Sequence, residues 1–159
     1  MTKSGSSQSN PSGLDATTSG RGHLVIDTSA LLRRYLADKH HRFVVGTMDA
    51  APVWVSSAMT RSEVMLALHH TASGPIAQQQ LWAQVASDWE SFWTVPVDGR
   101  CLGAATEIGA RYGITLGSAI NLAAADRLPQ PVTFMTFDRR QIPAAADMGF
   151  EVTSPLGDC

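Results

Sequence analysis

Short apolar runs alternate with longer amphipathic segments along most of this chain. The apolar runs predict strands, because they are too short for helices, and they lie at 24–26, 53–55, 93–97, 132–136 and 149–152. The run 24–26 suits a strand that is buried on both faces. Strands that alternate with helices indicate an α/β fold with a central, mainly parallel sheet and helices on both faces.

The segments between these runs predict helices. The first predicted helix is capped by Thr28 and Ser29 and reaches Leu36, and the second covers 40–50. A third helix is capped by Ser56 or Ser57. Three further helices are predicted over 76–92, 98–111 and 118–128, and Asp138 is predicted to open the last helix. Asp98 is the predicted cap of the helix at 98–111, and Gly113 is predicted to close it.

Composition divides the chain into a tail and one domain. Residues 1–22 are rich in Ser, Gly and Thr and nearly free of large apolar side chains, so we expect a disordered tail there. Residues 23–153 are predicted to form a single α/β domain, and residues 154–159 a short C-terminal tail.

Charge and cysteine content exclude several classes of protein. The net charge of −2 provides no bulk attraction to nucleic acid, although ten of the twelve cationic side chains are arginines, which suit phosphate contacts. Cys101 and Cys159 form no metal-binding pattern and fit a reducing cytoplasm. There is no run of 18 apolar residues, so we expect no membrane span.

Three acidic residues lie at the edges of apolar segments. Asp27 and Asp138 each follow a predicted strand, and Glu63 lies in the first turns of a helix. Because functional sites in parallel sheets lie at the carboxyl ends of the strands, these acids can converge and bind a divalent metal. Each acid also has an ordinary structural interpretation: the aspartates as helix N-caps and Glu63 as a solvated surface charge.

The sequence around each acid follows one pattern in one chain order. The stretches are VIDTSAL at 25–31, SEV at 62–64, AINLA at 119–123 and TFD at 136–138. The chain resembles PIN-domain proteins, and most closely the VapC-type toxins of toxin–antitoxin pairs, from about residue 24 to 152. The resemblance implies a PIN-like three-layer α/β/α sandwich and Mg²⁺- or Mn²⁺-dependent RNA cleavage, with Asp27, Glu63 and Asp138 as metal ligands and catalytic residues.

Ser118 departs from that pattern, because family members usually carry an acid at this place. Asp126 is eight residues further on, about 12 Å along a helix at about 1.5 Å per residue, which is too far to replace a ligand. Asn121 is one turn away and offers a neutral carbonyl oxygen in support. Loss of one carboxylate weakens the affinity for a hard cation, so we expect weakened activity.

Other residues near the acids have predicted supporting functions. Thr136 is placed to hydrogen-bond an acidic ligand, with strand packing as the alternative. Arg61, Arg139 and Arg140 are candidates for RNA phosphate binding, with solvated helix arginines as the alternative. The resemblance further implies a small antitoxin as partner and a homodimer.

Two other classes of function compete with a ribonuclease. A degenerate, inactive PIN domain that binds RNA or protein would also account for Ser118. A phosphatase or receiver-like switch is disfavoured. A dehalogenase-type phosphatase needs a second aspartate where Ser29 stands, and a receiver domain needs a late lysine, whereas the only lysines are Lys3 and Lys39.

Overall fold

The computed structural model describes residues 22–156. The predicted N-terminal tail, apart from Gly22, and residues 157–159 of the predicted C-terminal tail lie outside these residues. The elements in chain order are β1 (His23–Ile26), α1 (Thr28–Tyr35), α2 (His41–Ala50), β2 (Val53–Ser57), α3 (Ala58–Thr71), α4 (Pro75–Trp89), β3 (Phe92–Val95), α5 (Gly99–Tyr112), α6 (Leu116–Asp126), β4 (Val132–Met135), α7 (Gln141–Asp147) and β5 (Glu151–Thr153).

The five strands form one sheet in the order β3-β2-β1-β4-β5, and every described pairing is parallel. The prediction of a central parallel sheet within an α/β/α sandwich is therefore confirmed. The chain proceeds to one side of β1 through β2 and β3, and then crosses to the other side with β4 and β5. This change of direction between β1 and β4 opens a crevice at their carboxyl ends, where doubly wound sheets bind their ligands.

Two apolar cores cover the two faces of the sheet. On one face, Leu24, Ile26 and Met135 pack with side chains from α1 to α4. On the other face, Val25 and Phe134 pack with side chains from α6 and α7. Since neighbouring residues of β1 belong to opposite cores, this strand is buried on both faces, which explains its uninterrupted apolar sequence.

Several helix ends differ from the predictions, and α6 begins and ends two residues earlier than the predicted 118–128. Asp27 caps α1 by accepting a hydrogen bond from the Ala30 N–H, as its interpretation as an N-cap predicts, whereas Thr28 and Ser29 are the first residues of the helix. The helix predicted over 76–92 ends at Trp89, because Phe92 pairs with β2 as the first residue of β3. Asp138 does not open α7 directly, since two arginines separate it from the first helical residue.

The predicted ends of α5 are confirmed. The Asp98 side chain accepts from the Cys101 N–H, and Gly113 closes the helix with a positive φ of 66°. Within residues 22–156, no helix is long and apolar enough to cross a membrane.

Candidate active site

The carboxyl ends of β1 and β4 lie side by side and bring Asp27 next to residues 136–138. Ile26 pairs with Met135, and the Asp27 N–H donates to the Met135 carbonyl at 3.2 Å. The chain leaves both strands at this edge, so the loop residues carry their side chains into one crevice. The predicted convergence of the two strand ends is present in the structure.

Asp27 is buried, with 1% of its surface exposed, and hydrogen-bond donors surround it. Its Oδ1 accepts from the Ala30 N–H at 2.9 Å and from Ser29 Oγ at 2.8 Å. Its Oδ2 accepts from Thr136 Oγ1 at 2.8 Å and from Gln141 Nε2 at 3.0 Å. Every one of these donors is neutral, so the hydrogen bonds hold the carboxylate in place without supplying a positive charge.

Burial of Asp27 shifts its acidity. Loss of solvent raises the pKa of this carboxyl from 3.8 to about 6, although the hydrogen bonds from Ala30, Ser29 and Thr136 oppose the shift. The nearby charge of Asp138 raises the pKa further. The site therefore disfavours a second negative charge unless a cation enters it.

Asp138 lies in the same crevice and shares a donor with Asp27. Gln141 Nε2 is 3.4 Å from Asp138 Oδ2, so one side-chain amide contacts both aspartates. Ser118 Oγ donates to the same Oδ2 at 3.2 Å, while the Arg140 N–H donates to Oδ1 at 2.9 Å. Ser118 is thus in direct contact with Asp138.

Glu63 reaches the crevice from α3. Its Oε1 accepts from Thr28 Oγ1 at 2.7 Å, which ties it to the residue that follows Asp27. A Cβ atom at Gly117 would lie 3.8 Å from Glu63 Oε2, so the start of α6 approaches this carboxylate closely. Adjacent residues at the start of α6, Gly117 and Ser118, therefore border Glu63 and Asp138.

The carboxylates of Asp27, Glu63 and Asp138 form no ion pair among the described residues. The four ion pairs found there involve other acids: Asp38, Asp88, Asp147 and Asp98. None of these pairs includes Asp27, Glu63 or Asp138. Carboxylates that are gathered by neutral donors and left without a basic partner fit a hard divalent cation such as Mg²⁺ or Mn²⁺.

The geometry also limits how such a cation can be held. Within residues 22–156, no three acidic, histidine or cysteine side chains lie close enough together to form a metal cluster by themselves. The closest association is the pair Asp27 and Asp138 on the Gln141 amide, with Glu63 at the neighbouring Thr28. The ligand set Asp27, Glu63 and Asp138 stays a prediction, and neutral oxygens are needed beside it.

Thr136 and Asn121 occupy different places relative to the acids. Thr136 Oγ1 donates to Asp27 Oδ2 and accepts from the Asp138 N–H at 3.0 Å, so one hydroxyl joins both aspartates. Asn121 is buried, and its Oδ1 accepts from Ser57 Oγ and Thr60 Oγ1 at 3.1 Å and 3.0 Å. Asn121 therefore fastens α6 to the start of α3, and its oxygen is already occupied.

Two of the three predicted RNA-binding arginines lie next to Asp138 in the chain, and the third lies on α3. Arg139 and Arg140 are exposed and directly follow Asp138, whereas Arg61 is half-buried on α3, two residues before Glu63. No ion pair of the described residues involves any of the three. Their guanidinium groups remain available for an anionic ligand.

Two residues of the site were missed by sequence reasoning, Gln141 and Ser29. Ser29 Oγ donates to Asp27 and accepts from the Phe137 N–H at 2.9 Å, which joins the ends of β1 and β4. For Gln141, one signal was present: it lies three residues after Asp138, a spacing that places side chains on the same side of a turn. The contact with Asp27, 114 residues away in sequence, left no local signal.

Comparison with known proteins identifies one family of domains. The family model described as "PIN domain" matches residues 24–147. No curated protein has a matching sequence.

Solved structures share the fold. A toxin–antitoxin complex from Klebsiella pneumoniae aligns with a TM-score of 0.62 and 18% identity, over 84% of this chain and 98% of the other. FitAcB from Neisseria gonorrhoeae aligns with a TM-score of 0.67 and 20% identity, over 86% and 100%. VapBC2 from Rickettsia felis, bound to a DNA fragment from its promoter, aligns with a TM-score of 0.60 and 8% identity, over 84% and 100%.

Proposed function

The chain belongs to the PIN-domain family, and we propose that it is a metal-dependent ribonuclease of the toxin type, weakened by Ser118. The observation that carries the proposal is the crevice at the ends of β1 and β4. There Asp27 and Asp138 share the Gln141 amide, and Glu63 accepts from Thr28, the residue after Asp27. None of the three acids has an ion-pair partner among the described residues. A divalent cation would neutralise the negative charge of these carboxylates.

Asp27, Glu63 and Asp138 would hold Mg²⁺ or Mn²⁺, with oxygen ligands that both ions prefer. When bound, the ion supplies a lowered pKa for a nearby water and stabilises the charge that develops on a phosphodiester during hydrolysis. The protein supplies orientation. Thr136 and Ser29 hold the Asp27 carboxylate from two sides, and such outer partners fix the direction of a ligand.

RNA would approach over the exposed face of the site. Arg139 and Arg140 follow Asp138 at the surface, and Arg61 lies on the same helix as Glu63. Because arginine binds phosphate with two parallel hydrogen bonds, Arg139 and Arg140 can hold the RNA backbone beside Asp138. Side chains two residues apart on a helix do not face each other, so Arg61 would bind the backbone away from Glu63. With a net charge of only −2 and no bulk attraction, binding depends on such local contacts.

The similar solved structures suggest which partners this chain would bind. The similar structures from Klebsiella and Rickettsia are described as a toxin–antitoxin complex and as VapBC2 with promoter DNA. We expect a small antitoxin protein to cover the crevice of this chain, and we expect the chain to form a homodimer.

Cleavage of RNA tests the proposal. The purified chain is incubated with a mixture of structured RNAs in Mn²⁺, with and without EDTA, beside Asp27→Asn and the control Asp126→Asn. Asp126 is an exposed acid at the end of α6, so its variant carries the same charge change outside the site. Cleavage that survives in Asp126→Asn, but is lost in EDTA and in Asp27→Asn, supports a nuclease.

A second candidate function, an inactive PIN domain that binds RNA or protein, is favoured by one observation. The amide of Gln141 and the hydroxyl of Ser118 place hydrogen-bond donors on Asp138, where a cation would otherwise lie. Absence of cleavage by a folded chain, together with RNA binding that Arg139→Ala and Arg140→Ala weaken, would establish this second function instead. Arg42→Ala and Arg100→Ala, at exposed sites on other helices, are the matched controls.

A further inference from the structure

Gln141 is a buried amide that contacts both aspartates of the site. Only 3% of its surface is exposed, and its Nε2 lies 3.0 Å from Asp27 Oδ2 and 3.4 Å from Asp138 Oδ2. Its Oε1 is also buried and has no hydrogen-bond partner among the described residues. Buried polar atoms without a partner are rare and need an explanation.

The two ends of a glutamine amide have opposite chemistry but nearly equal size. Turning the amide over about its last side-chain bond exchanges Oε1 with Nε2 and leaves the rest of the residue in place. After that turn, the oxygen would occupy the present position of Nε2, between the two carboxylates. The heavy atoms only exchange positions, and the NH₂ group would then occupy the buried place where Oε1 has no hydrogen-bond partner among the described residues.

The spacing of these positions suits ligands of one cation. Mg²⁺ binds oxygen at about 2.1 Å in octahedral geometry, so two ligands at right angles lie about 3 Å apart. The separations of 3.0 Å and 3.4 Å from the Asp27 and Asp138 oxygens are close to that value. An oxygen at the present Nε2 position would therefore lie at a suitable distance from each aspartate oxygen for neighbouring ligands of one cation.

The orientation of the amide depends on the charge between the aspartates. Without a cation, two carboxylate oxygens require a donor there, and the NH₂ group provides one. With a cation, an acceptor is required, and the carbonyl oxygen provides it. The other side-chain amide oxygen near the site, Asn121 Oδ1, is less suitable, since it already accepts from Ser57 and Thr60.

We propose that Gln141 is the neutral oxygen ligand that completes the metal site in the absence of an acid at position 118, and that its amide turns over when the cation binds. The backbone supports this function, because the Gln141 N–H donates to the Asp138 carbonyl at 3.0 Å and fixes the residue at the start of α7. The inference rests on the proposed metal-dependent function.

Binding of Mn²⁺ by calorimetry is the first test, with the full chain and without RNA. Gln141→Leu should lower the affinity about 10-fold, within the range for loss of a supporting group at a metal site, while Gln141→Glu should raise it. Gln80→Leu, at an exposed position on α4, is the matched control and should bind as the wild type does. Circular dichroism establishes that each variant is folded.

Nuclear magnetic resonance of the side-chain NH₂ groups is the second test. The Gln141 signals are identified by their loss in Gln141→Glu, and Mg²⁺ should shift them strongly because the NH₂ leaves both carboxylates. Unchanged Gln141 signals in saturating Mg²⁺, or equal Mn²⁺ affinity of Gln141→Leu and wild type, would overturn the inference alone. Wild-type binding that Asp27→Asn leaves intact, or no binding at all, would overturn the metal-dependent function and the inference with it.

Discussion

The two sides of the crevice differ in how firmly the fold holds their acids. On the side of β1 and β4, Asp27 is buried and accepts hydrogen bonds from Ala30, Ser29, Thr136 and Gln141. On the side of α3 and α6, Glu63 is half-buried and accepts one side-chain hydrogen bond, from Thr28. The difference lies in the number of neutral donors, since neither side has a basic partner in the described part of the chain.

The acid with more hydrogen bonds stabilises the fold as well as the site, whereas the acid with fewer contributes mainly to ligand binding. Asp27 is part of the fold as well as the site, because its contacts join β1 to the residues after β4 and cap α1. The Glu63 carboxylate accepts fewer hydrogen bonds than that of Asp27, and the Ser118 side chain joins the start of α6 to Asp138 without joining two strands. Variants on the first side should therefore change both stability and function, whereas variants on the second side should change mainly function.

The largest effect is expected for Asp27→Asn. This change removes the charge from the most buried acid and places an amide NH₂ group against the donors Thr136 and Gln141. We expect RNA cleavage to fall more than about 100-fold, beyond the range for loss of an outer partner of a metal ligand. Initial cleavage rates in Mn²⁺ measure this, and a residual rate above one tenth of wild type would contradict a central function for Asp27.

The second largest effect is expected on the stability of the metal-free protein as the pH changes. The pKa of Asp27 is raised by burial to about 6, against an ordinary value of 3.8, so the native state binds the proton more tightly than the unfolded state. The contribution of Asp27 to stability is therefore present below about pH 4 and lost as pH rises to about 6. The loss is on the order of 3 kcal/mol, from about two pKa units at about 1.4 kcal/mol each.

Urea unfolding in EDTA at pH 4 and at pH 7 measures this loss. Asp38 and Asp98 oppose it, because their pKa values are lowered by the hydrogen bonds from the His40 and Cys101 N–H groups. The useful quantity is thus the difference between wild type and Asp27→Asn, which cannot titrate at this position. An identical pH dependence of the two proteins would show that Asp27 is charged without penalty in the metal-free state.

The sequence predicted the strands β1 and β4 and the acids that follow them, but it predicted few of the hydrogen bonds between these residues. The run that became β1 was recognisable because residues 24–26 are all apolar and an acid follows them directly. The run that became β4 was recognisable from the apolar residues on either side of Thr133, and Asp138 follows its last residue by three positions. The contact of Gln141 with Asp27 depends on the pairing of β1 with β4, and such distant pairing leaves no trace in local spacing. The helix end at Trp89 was missed for a related reason, since sheet pairing of Phe92 outweighed helical periodicity.

Thr136→Val tests how much of the site depends on one hydroxyl. Valine has nearly the same shape, but it removes the donor to Asp27 Oδ2 and the acceptor of the Asp138 N–H. We expect Mn²⁺ affinity to fall about 10-fold or more and stability to fall by about 1–3 kcal/mol. Calorimetry and urea unfolding measure the two effects.

Thr133→Val is the control for that variant, because Thr133 lies on β4, three residues before Thr136, and is half-buried. The described residues show no side-chain hydrogen bond from Thr133. If both variants weakened Mn²⁺ binding equally, the effect would come from the change in the strand and the hydrogen bond to Asp27 would be unimportant.

The smallest effect is expected on the loosely held side, for Ser118→Asp. The new carboxylate would lie beside Asp138, whose Oδ2 is 3.2 Å from Ser118 Oγ, and would add charge to the site. Because Ser118 is half-buried, we expect a gain of about 1 kcal/mol in Mn²⁺ binding, which is roughly fivefold in affinity. In EDTA the same variant should lose thermal stability, since two adjacent carboxylates repel each other without a cation.

Ser118→Asn shows whether an effect of Ser118→Asp on Mn²⁺ affinity comes from the charge or from the size of the new side chain. Asparagine is as large as aspartate but neutral, so it should leave Mn²⁺ affinity near the wild-type value and should spare the stability in EDTA. If Ser118→Asp gained affinity and also restored cleavage, the start of α6 would be the part of the site whose missing acid limits activity. Equal Mn²⁺ affinity of the two variants would instead mean that position 118 lies outside the reach of the cation. The Gln141 amide would then be the neutral oxygen source closest to both aspartates.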